Sequence, residues 1–375
     1  MATIGQTKSG NYYYRVYLRE DGKKTSKYKS GFKTKRAAER AARKIELFLD
    51  EGYKLSGENI VFSEHMQTWF ELYKKGKNSI DNDKDIQFAC NRVNDYFGLT
   101  KLRDISRDSY QGFLNWYGND HATASVSKVH TYAKMCLQDA VHDGILTKDP
   151  TYRVVVKGKN EEKPTEEKYL NQSEAILLKN YIKETWKPEH ASKTMILLGL
   201  ASGVRFSEAL GLTWDDIDFK NKTINITKSF DYKNTLNFKP TKNKSSIRKI
   251  KIDDETINYL KRWRIYQAEW FLKTGIRNKL NLVFYTVQGK ALSNNAPTNV
   301  LRTASQKLGI QRITFHGLRH THISILLYHD VSIYSVSKRA GHSSTVITQR
   351  VYAHVIKELE EKDEDKILEV LAAMS

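Results

Sequence analysis

Between Asn11 and Arg19 apolar and polar positions alternate. Tyr12, Tyr14, Val16 and Leu18 fall on one side of an extended chain, and Tyr13, Arg15, Tyr17 and Arg19 on the other. That is the period of a half-buried strand. Asp21-Gly22 is a hairpin turn signal and Lys24–Ser30 the returning strand. At Thr34 the period changes to helical, with Ala38, Ala41, Ile45, Phe48 and Leu49 on one face and Gly52 as a stop. Residues 1–57 therefore read as a small domain of a β-ribbon followed by a helix. From Val61 to Arg153 the pattern is helical throughout. Its apolar faces are Met66/Trp69/Phe70/Tyr73, Ile86/Ala89/Val93/Phe97, Tyr110/Phe113/Leu114/Tyr117 and Val126/Val129/Ala133/Cys136/Leu137/Ala140. Ser63, Ser79, Ser106 and Thr123 are the expected N-caps, and residues 58–156 are expected to form a four-helix bundle.

Residues 157–168, KGKNEEKPTEEK, are polar, charged and carry Pro164, which predicts a linker. Beyond it, from residue 169 to 375, the pattern is mixed. A helix starts at Asn171 or Ser173, an apolar helix covers Lys193–Leu200, and another begins at Ser207. Strands are expected at Thr223–Thr227 and Ile247–Ile252, joined through the basic segment Lys239–Ser246, and helices dominate from Asp254. The fold class is thus multidomain and mainly α, with small β elements.

Charge narrows the function. In 375 residues, 62 Lys and Arg face 43 Asp and Glu, a formal net charge of +19. Such a surplus calls for a polyanionic partner, nucleic acid or an anionic membrane surface. Apolar runs are too short for a membrane span, and the N-terminus has no secretory apolar region. Two cysteines, Cys90 and Cys136, exclude a disulfide scaffold and sit on apolar faces as inert thiols, so a reducing cytoplasm is expected. No phosphate-binding glycine loop, HExxH, calcium loop or GxSxG elbow occurs. The first sixty residues alone hold 14 Lys and Arg against 7 Asp and Glu. A ribbon presenting Tyr13, Arg15, Tyr17 and Arg19 is suited to a DNA groove.

Four segments of the last domain remain to be explained: Ala201-Ser-Gly-Val-Arg205-Phe-Ser-Glu208-Ala-Leu-Gly-Leu212; Thr241-Lys242-Asn-Lys244-Ser-Ser-Ile-Arg248; His316-Gly-Leu-Arg319-His320-Thr-His322; and Gly341-His342-Ser-Ser, followed by Tyr352. In this order they resemble the tyrosine recombinases of the phage-integrase type, over about Tyr169–His354. The helical unit resembles that family's core-site-binding domain. The N-terminal unit resembles its arm-site-binding domain.

The resemblance implies a catalytic set of Arg205, Lys242, His316, Arg319, His342 and Tyr352, with α-rich catalytic architecture around a small antiparallel sheet. Tyr352, one of 21 tyrosines, is implied as the nucleophile that forms a 3′-phosphotyrosyl bond and frees a 5′-hydroxyl. Surrounding cations are expected to lower its pKa. Arg205 and Arg319 are implied as guanidinium clamps on the phosphate oxygens, with Glu208 orienting Arg205. Lys242 is implied as the acid protonating the leaving oxygen. Lys239 and Lys244 lie close by, and the Ser-Ser-Ile-Arg stretch that follows favours Lys242. Lys239, Lys244 and Arg248 are expected to touch DNA. His316 would accept the tyrosine proton or orient the phosphate, and His342 would hydrogen-bond a phosphate oxygen. His320 and His322 are expected to pack. A metal pair at His316 and His320 has the right i, i+4 spacing, but no Cys or clustered carboxylate completes it.

The same resemblance implies no cofactor, neither ATP nor divalent metal. It implies double-stranded DNA with core and arm attachment sites and a homotetramer working through a Holliday junction. It also implies an excision factor and a host DNA-bending protein. From His354 on, 3 Lys face 7 Asp and Glu. This acidic tail is expected to dock on a neighbouring protomer, the alternative being its own domain. Competing readings are a type IB topoisomerase and a non-catalytic DNA-binding regulator derived from an integrase.

Overall fold

The computed structural model describes residues 2–20, 23–50, 59–160, 169–241, 243–352 and 371–372. It divides into two compact units, 1–162 and 163–375. Among the described residues no helix is long and apolar enough to cross a membrane.

The first unit opens with a three-stranded antiparallel sheet, β1 (Ala2–Gln6), β2 (Tyr12–Glu20) and β3 (Lys23–Phe32), in that order. Ile4 pairs with Tyr14, and Val16 with Lys27. The alternation along β2 holds: Tyr14 and Val16 are buried, Arg15 and Tyr17 exposed. Helix α1 (Lys35–Asp50) begins where the Ala37 N–H donates to Thr34 Oγ1, 3.2 Å. It lays Ala42, Ile45 and Leu49 on the buried face of the sheet. The expected turn at Asp21-Gly22 and the stop at Gly52 lie outside the described residues.

The bundle consists of α2 (Phe62–Trp69), α3 (Ile80–Phe97), α4 (Arg107–Gly118) and α5 (Thr123–His142). Each expected apolar face is inside, with the exception of Tyr73, which is 55% exposed where α2 gives way to a wider turn closed by Lys75 N–H on Phe70 O. Ser79 and Ser106 cap α3 and α4. Ser63 does not cap: it lies inside α2, and its hydroxyl donates to Gly98 O at 2.9 Å. Thr123 is the first residue of α5, and its hydroxyl accepts from Gly158 N at 3.0 Å. Packing thus continues past the expected boundary at 156. Lys159 N donates to Gly118 O, 2.8 Å, and Ala122 bridges to Asn160. Cys90 and Cys136 are buried, and burial pushes the Cys90 thiol up to about 12 and the Cys136 thiol higher still.

In the second unit α6 (Gln172–Glu184) starts at Asn171, whose side chain accepts from Glu174 N while Glu174 accepts from Asn171 N. Helix α7 (Ala191–Ser202) is apolar nearly all round and is buried accordingly. Around it stand α9 (Asp254–Thr274), α10 (Asn295–Leu308) and α11 (Phe315–Tyr328). Between α7 and α9 run the short α8 (Phe206–Gly211) and five strands: β4 (Ile217–Asp218), β5 (Thr223–Ile226), β6 (Lys228–Asp231), β7 (Asn237–Pro240) and β8 (Arg248–Lys251). Strands β4, β5 and β8 form one antiparallel sheet, with Ile224 opposite Ile250. Strands β6 and β7 pair as a separate hairpin that the sequence pattern did not announce. The chain then runs through α12 (Ile333–Ala340) and α13 (Thr345–Val351) to Tyr352. The acidic tail falls outside the described residues except Leu371 and Ala372.

Candidate active site

Three helix ends bring the basic residues together. At the end of α7, Gly203 adopts φ +64°, and a Cβ there would meet the His322 ring at 2.7 Å, so only glycine fits. This turn sets Arg205 at the head of α8. There Glu208 Oε2 accepts from Arg205 N, 3.1 Å, and Arg205 Nη1 donates to Glu208 Oε1, 2.6 Å. Arg205 Nη2 reaches the carbonyl of Gly341, 3.4 Å. That carbonyl ends α12, where Gly341 is at φ +72° and a Cβ would press on Arg248 Nη1 at 2.9 Å.

Arg248 corrects an expectation. It is 8% exposed rather than presented to DNA. Each nitrogen of its guanidinium donates: Nε to Arg339 O at 2.7 Å, Nη1 to Ser246 O at 2.8 Å, Nη2 to Glu208 Oε2 at 2.9 Å. It fastens β8 to α8 and α12, and so holds the carboxylate that holds Arg205. Burial works to raise the Glu208 pKa, but Arg248 and Arg205 outweigh it and keep the group below the ordinary carboxylate range. Glu208 is therefore ionised and orients Arg205 as expected.

Helix α11 starts at Thr314, which caps Gly317 N, and carries His316, Arg319 and His320 in its first turns. Arg319 is 2% exposed. Its Nη1 donates to Gly203 O, 2.8 Å, while Nη2 is buried with no hydrogen-bond partner among the described residues. Burial, then Arg205, pulls its pKa down to about 9, so it stays protonated at neutral pH. His316 is exposed, and surrounding protein followed by Arg319 and Arg205 presses its imidazole below the ordinary value. His342 follows α12, and its Nδ1 lies 2.7 Å from Thr348 Oγ1. Burial, Arg319 and Arg205 push it down to about 4, so it is neutral at neutral pH. His322 packs as foreseen: Nδ1 on Leu200 O at 2.8 Å and Nε2 accepting from Arg339 Nε at 3.0 Å, with its pKa also near 4.

Tyr352 is 1% exposed, enclosed by Ile323, Leu327, Val336 and Ala340. Burial raises its phenol pKa and Arg319 only partly offsets this, the reverse of the cation-lowered phenol expected. Its hydroxyl lies 2.7 Å from Nδ1 of His320, not of His316. The i, i+4 spacing of the two histidines marks only their shared helix face. Their rings do meet edge to face at 4.8 Å, but no group of three or more His, Cys, Asp or Glu suited to a metal forms among the described residues. Sequence reasoning also missed Thr348 and Arg339.

Of the remaining candidates, Lys242 lies outside the described residues. Lys239 is half-buried in β7, and Lys244 is exposed in the single turn before β8. In the N-terminal sheet the Arg15 guanidinium sits 5.4 Å from the Tyr28 ring centre, Tyr13 is half-buried 5.2 Å from the same ring, and Tyr17 is 56% exposed. The side chain of Arg19 is not among those described.

The depressed His322 and His342 tie stability to pH. Between their folded values near 4 and the ordinary value of about 6.5, the unfolded chain binds more protons, so stability falls as pH falls through that window and is complete above it. The urea midpoint of the chain is expected to drop between about pH 7.5 and about pH 5, and His322→Gln to remove part of that slope. A wild-type midpoint flat across the range would contradict neutral burial.

The phage integrase family matches residues 168–358, and an arm DNA-binding domain family matches residues 5–47. A tyrosine recombinase XerC-like protein of Caldanaerobacter subterraneus subsp. tengcongensis is 29% identical, over 93% of this chain and 94% of its own. The integrase of Staphylococcus phage L54a is 24% identical, over 86% and 91%. Among solved structures, the Tn1549 transposon integrase in complex with transposon right end DNA superposes with a TM-score of 0.69 at 16% identity, over 82% of this chain and 100% of that one. At that identity the likeness is one of fold.

Proposed function

The chain belongs to the phage integrase family, the tyrosine recombinases that break and rejoin DNA, and from this we propose that it integrates and excises a mobile element at specific core and arm sites. The observation that carries the reading is the buried, unpartnered Nη2 of Arg319 beside Arg205, His316 and His342. A buried donor left without an acceptor costs about 1–3 kcal/mol and a charged one more, and a DNA phosphate supplies the missing acceptor. Arg319 and Arg205 then neutralise the charge that builds on the pentavalent phosphorus. Tyr352 attacks, Lys242 protonates the departing 5′-oxygen, and the 3′-phosphotyrosyl ester conserves the energy for rejoining, so neither ATP nor a divalent metal is needed.

Two rounds of exchange pass through a Holliday junction in a homotetramer, with the acidic tail of one protomer docked on the next. The arm domain, through Arg15 and Tyr17, binds the second kind of site. An excision factor and a host DNA-bending protein act with it, and the chain works in the cytoplasm of its host cell.

The test is a nicked suicide duplex bearing the core site, sought in DNA flanking the gene and presented in EDTA without ATP. A covalent adduct mapped by mass spectrometry to Tyr352 is the expected result. An adduct on another tyrosine reassigns the nucleophile. Specific binding with no adduct on a verified site supports instead a DNA-binding regulator.

A further inference from the structure

We propose that His320 is the group that takes the phenolic proton of Tyr352 at cleavage and returns it at rejoining. The inference rests on the recombinase reading above and deepens it. A phenol must lose its proton as it attacks phosphorus. Tyr352 is 1% exposed, so before DNA reaches it the hydroxyl meets protein groups and not bulk water. The base in contact is His320, whose Nδ1 stands 2.7 Å from the hydroxyl, within the distance for direct proton transfer. The two rings are 5.7 Å apart, and the aliphatic side chains of Ile323, Leu327, Val336 and Ala340 hold the phenol in place. Both partners are therefore fixed, His320 by the second turn of α11 and Tyr352 by the end of α13. His316, four residues earlier, is exposed with its ring 4.8 Å from that of His320, and is left to face the phosphate.

The step balances. With the ring proton on Nε2, His320 Nδ1 accepts the phenolic proton as the bond from Tyr352 Oη to phosphorus forms. The bond from phosphorus to O5′ breaks, and the leaving oxygen takes a proton from Lys242. Rejoining runs the same transfers backwards. The other ionisable groups facing this pair are His316 and Arg319 on α11, His342 from the turn after α12, and Tyr169 from the segment before α6.

Asparagine places an amide oxygen near the position of Nδ1, so His320→Asn keeps the hydrogen bond but not the proton affinity. Its rate of adduct formation on the suicide duplex is expected to fall about 10²-fold or more, with DNA binding unchanged. The acid limb of the pH–rate profile should disappear, leaving a rate that rises with hydroxide. His316→Asn, measured alongside, should slow cleavage and keep the acid limb. Wild-type rates and an intact acid limb in both His320→Asn and His320→Ala would reduce His320 to a packing contact. Loss of the acid limb in His316→Asn alone would move the proton to His316. Should the wild-type chain bind its site and form no adduct, the recombinase reading falls, and this proposal with it.

Discussion

Tyr352→Phe is expected to bind core DNA with the affinity of the unchanged chain and to form no covalent adduct with it. The substitution removes one atom. The ring stays in the same apolar enclosure of Ile323, Leu327, Val336 and Ala340, which a phenylalanine fills as well as a tyrosine. The loss to folding is the hydrogen bond to His320, about 0.5–1.5 kcal/mol net, too little to unfold the domain. DNA affinity rests mostly on phosphate contacts by cationic side chains, which the change does not touch. Chemistry, by contrast, loses the attacking oxygen: the exposed Tyr334 on α12 is not part of the enclosure that holds Tyr352. Gel shift and adduct formation on the same duplex check both halves. Residual adduct in the variant would show that another residue attacks, and lost binding would show that the hydroxyl supports the DNA-bound state instead.

The site residues were named through the resemblance of four ordered segments, and those segments prove to lie at helix ends. The Gly203 turn, the Thr314 cap and the Gly341 turn all fall where periodicity stops. The bundle was equally plain, since Ile86, Ala89, Val93 and Phe97 declare their face by spacing alone. Ser63 failed as a cap because a nearby carbonyl, Gly98 O, competes for its hydroxyl, a tertiary fact no local pattern holds. The β6–β7 hairpin was missed for a related reason: Ser229, Phe230 and Asp231 are buried in succession, so the strand shows no alternation.

Arg248 was read as a surface residue by charge, although the strand period put it in phase with Ile250 and Ile252, which face inward. Pattern outranked composition there. An arginine can occupy such a position only because Glu208 and two carbonyls satisfy it. The partnership of His320 with Tyr352 joins residues 32 apart in sequence. Spacing exposed only half of it, the shared face of His316 and His320.

Arg319→Lys should bring the second-largest loss, a fall in cleavage of about 10²–10³-fold, the cost typical of removing one donor aimed at a transition-state oxyanion. The guanidinium does two jobs at fixed geometry. Nη1 is held by Gly203 O at 2.8 Å, and Nη2 is left over in a buried setting. A lysine carries the same charge on one nitrogen, which cannot stay on the carbonyl and meet a phosphate oxygen along a second, fixed direction. The charge is also harder to keep: burial and Arg205 already depress the pKa of Arg319, and an ammonium starts lower, so part of the variant would be neutral. Folding should suffer little, because lysine keeps a donor for Gly203 O. The expected signature is a slowed chemical step with unchanged urea midpoint and near-unchanged DNA affinity. A variant that cleaves at the wild-type rate would mean that the orphaned Nη2 never meets the phosphate. The anion site would then have to be built on Arg205, the histidines and Lys242 alone.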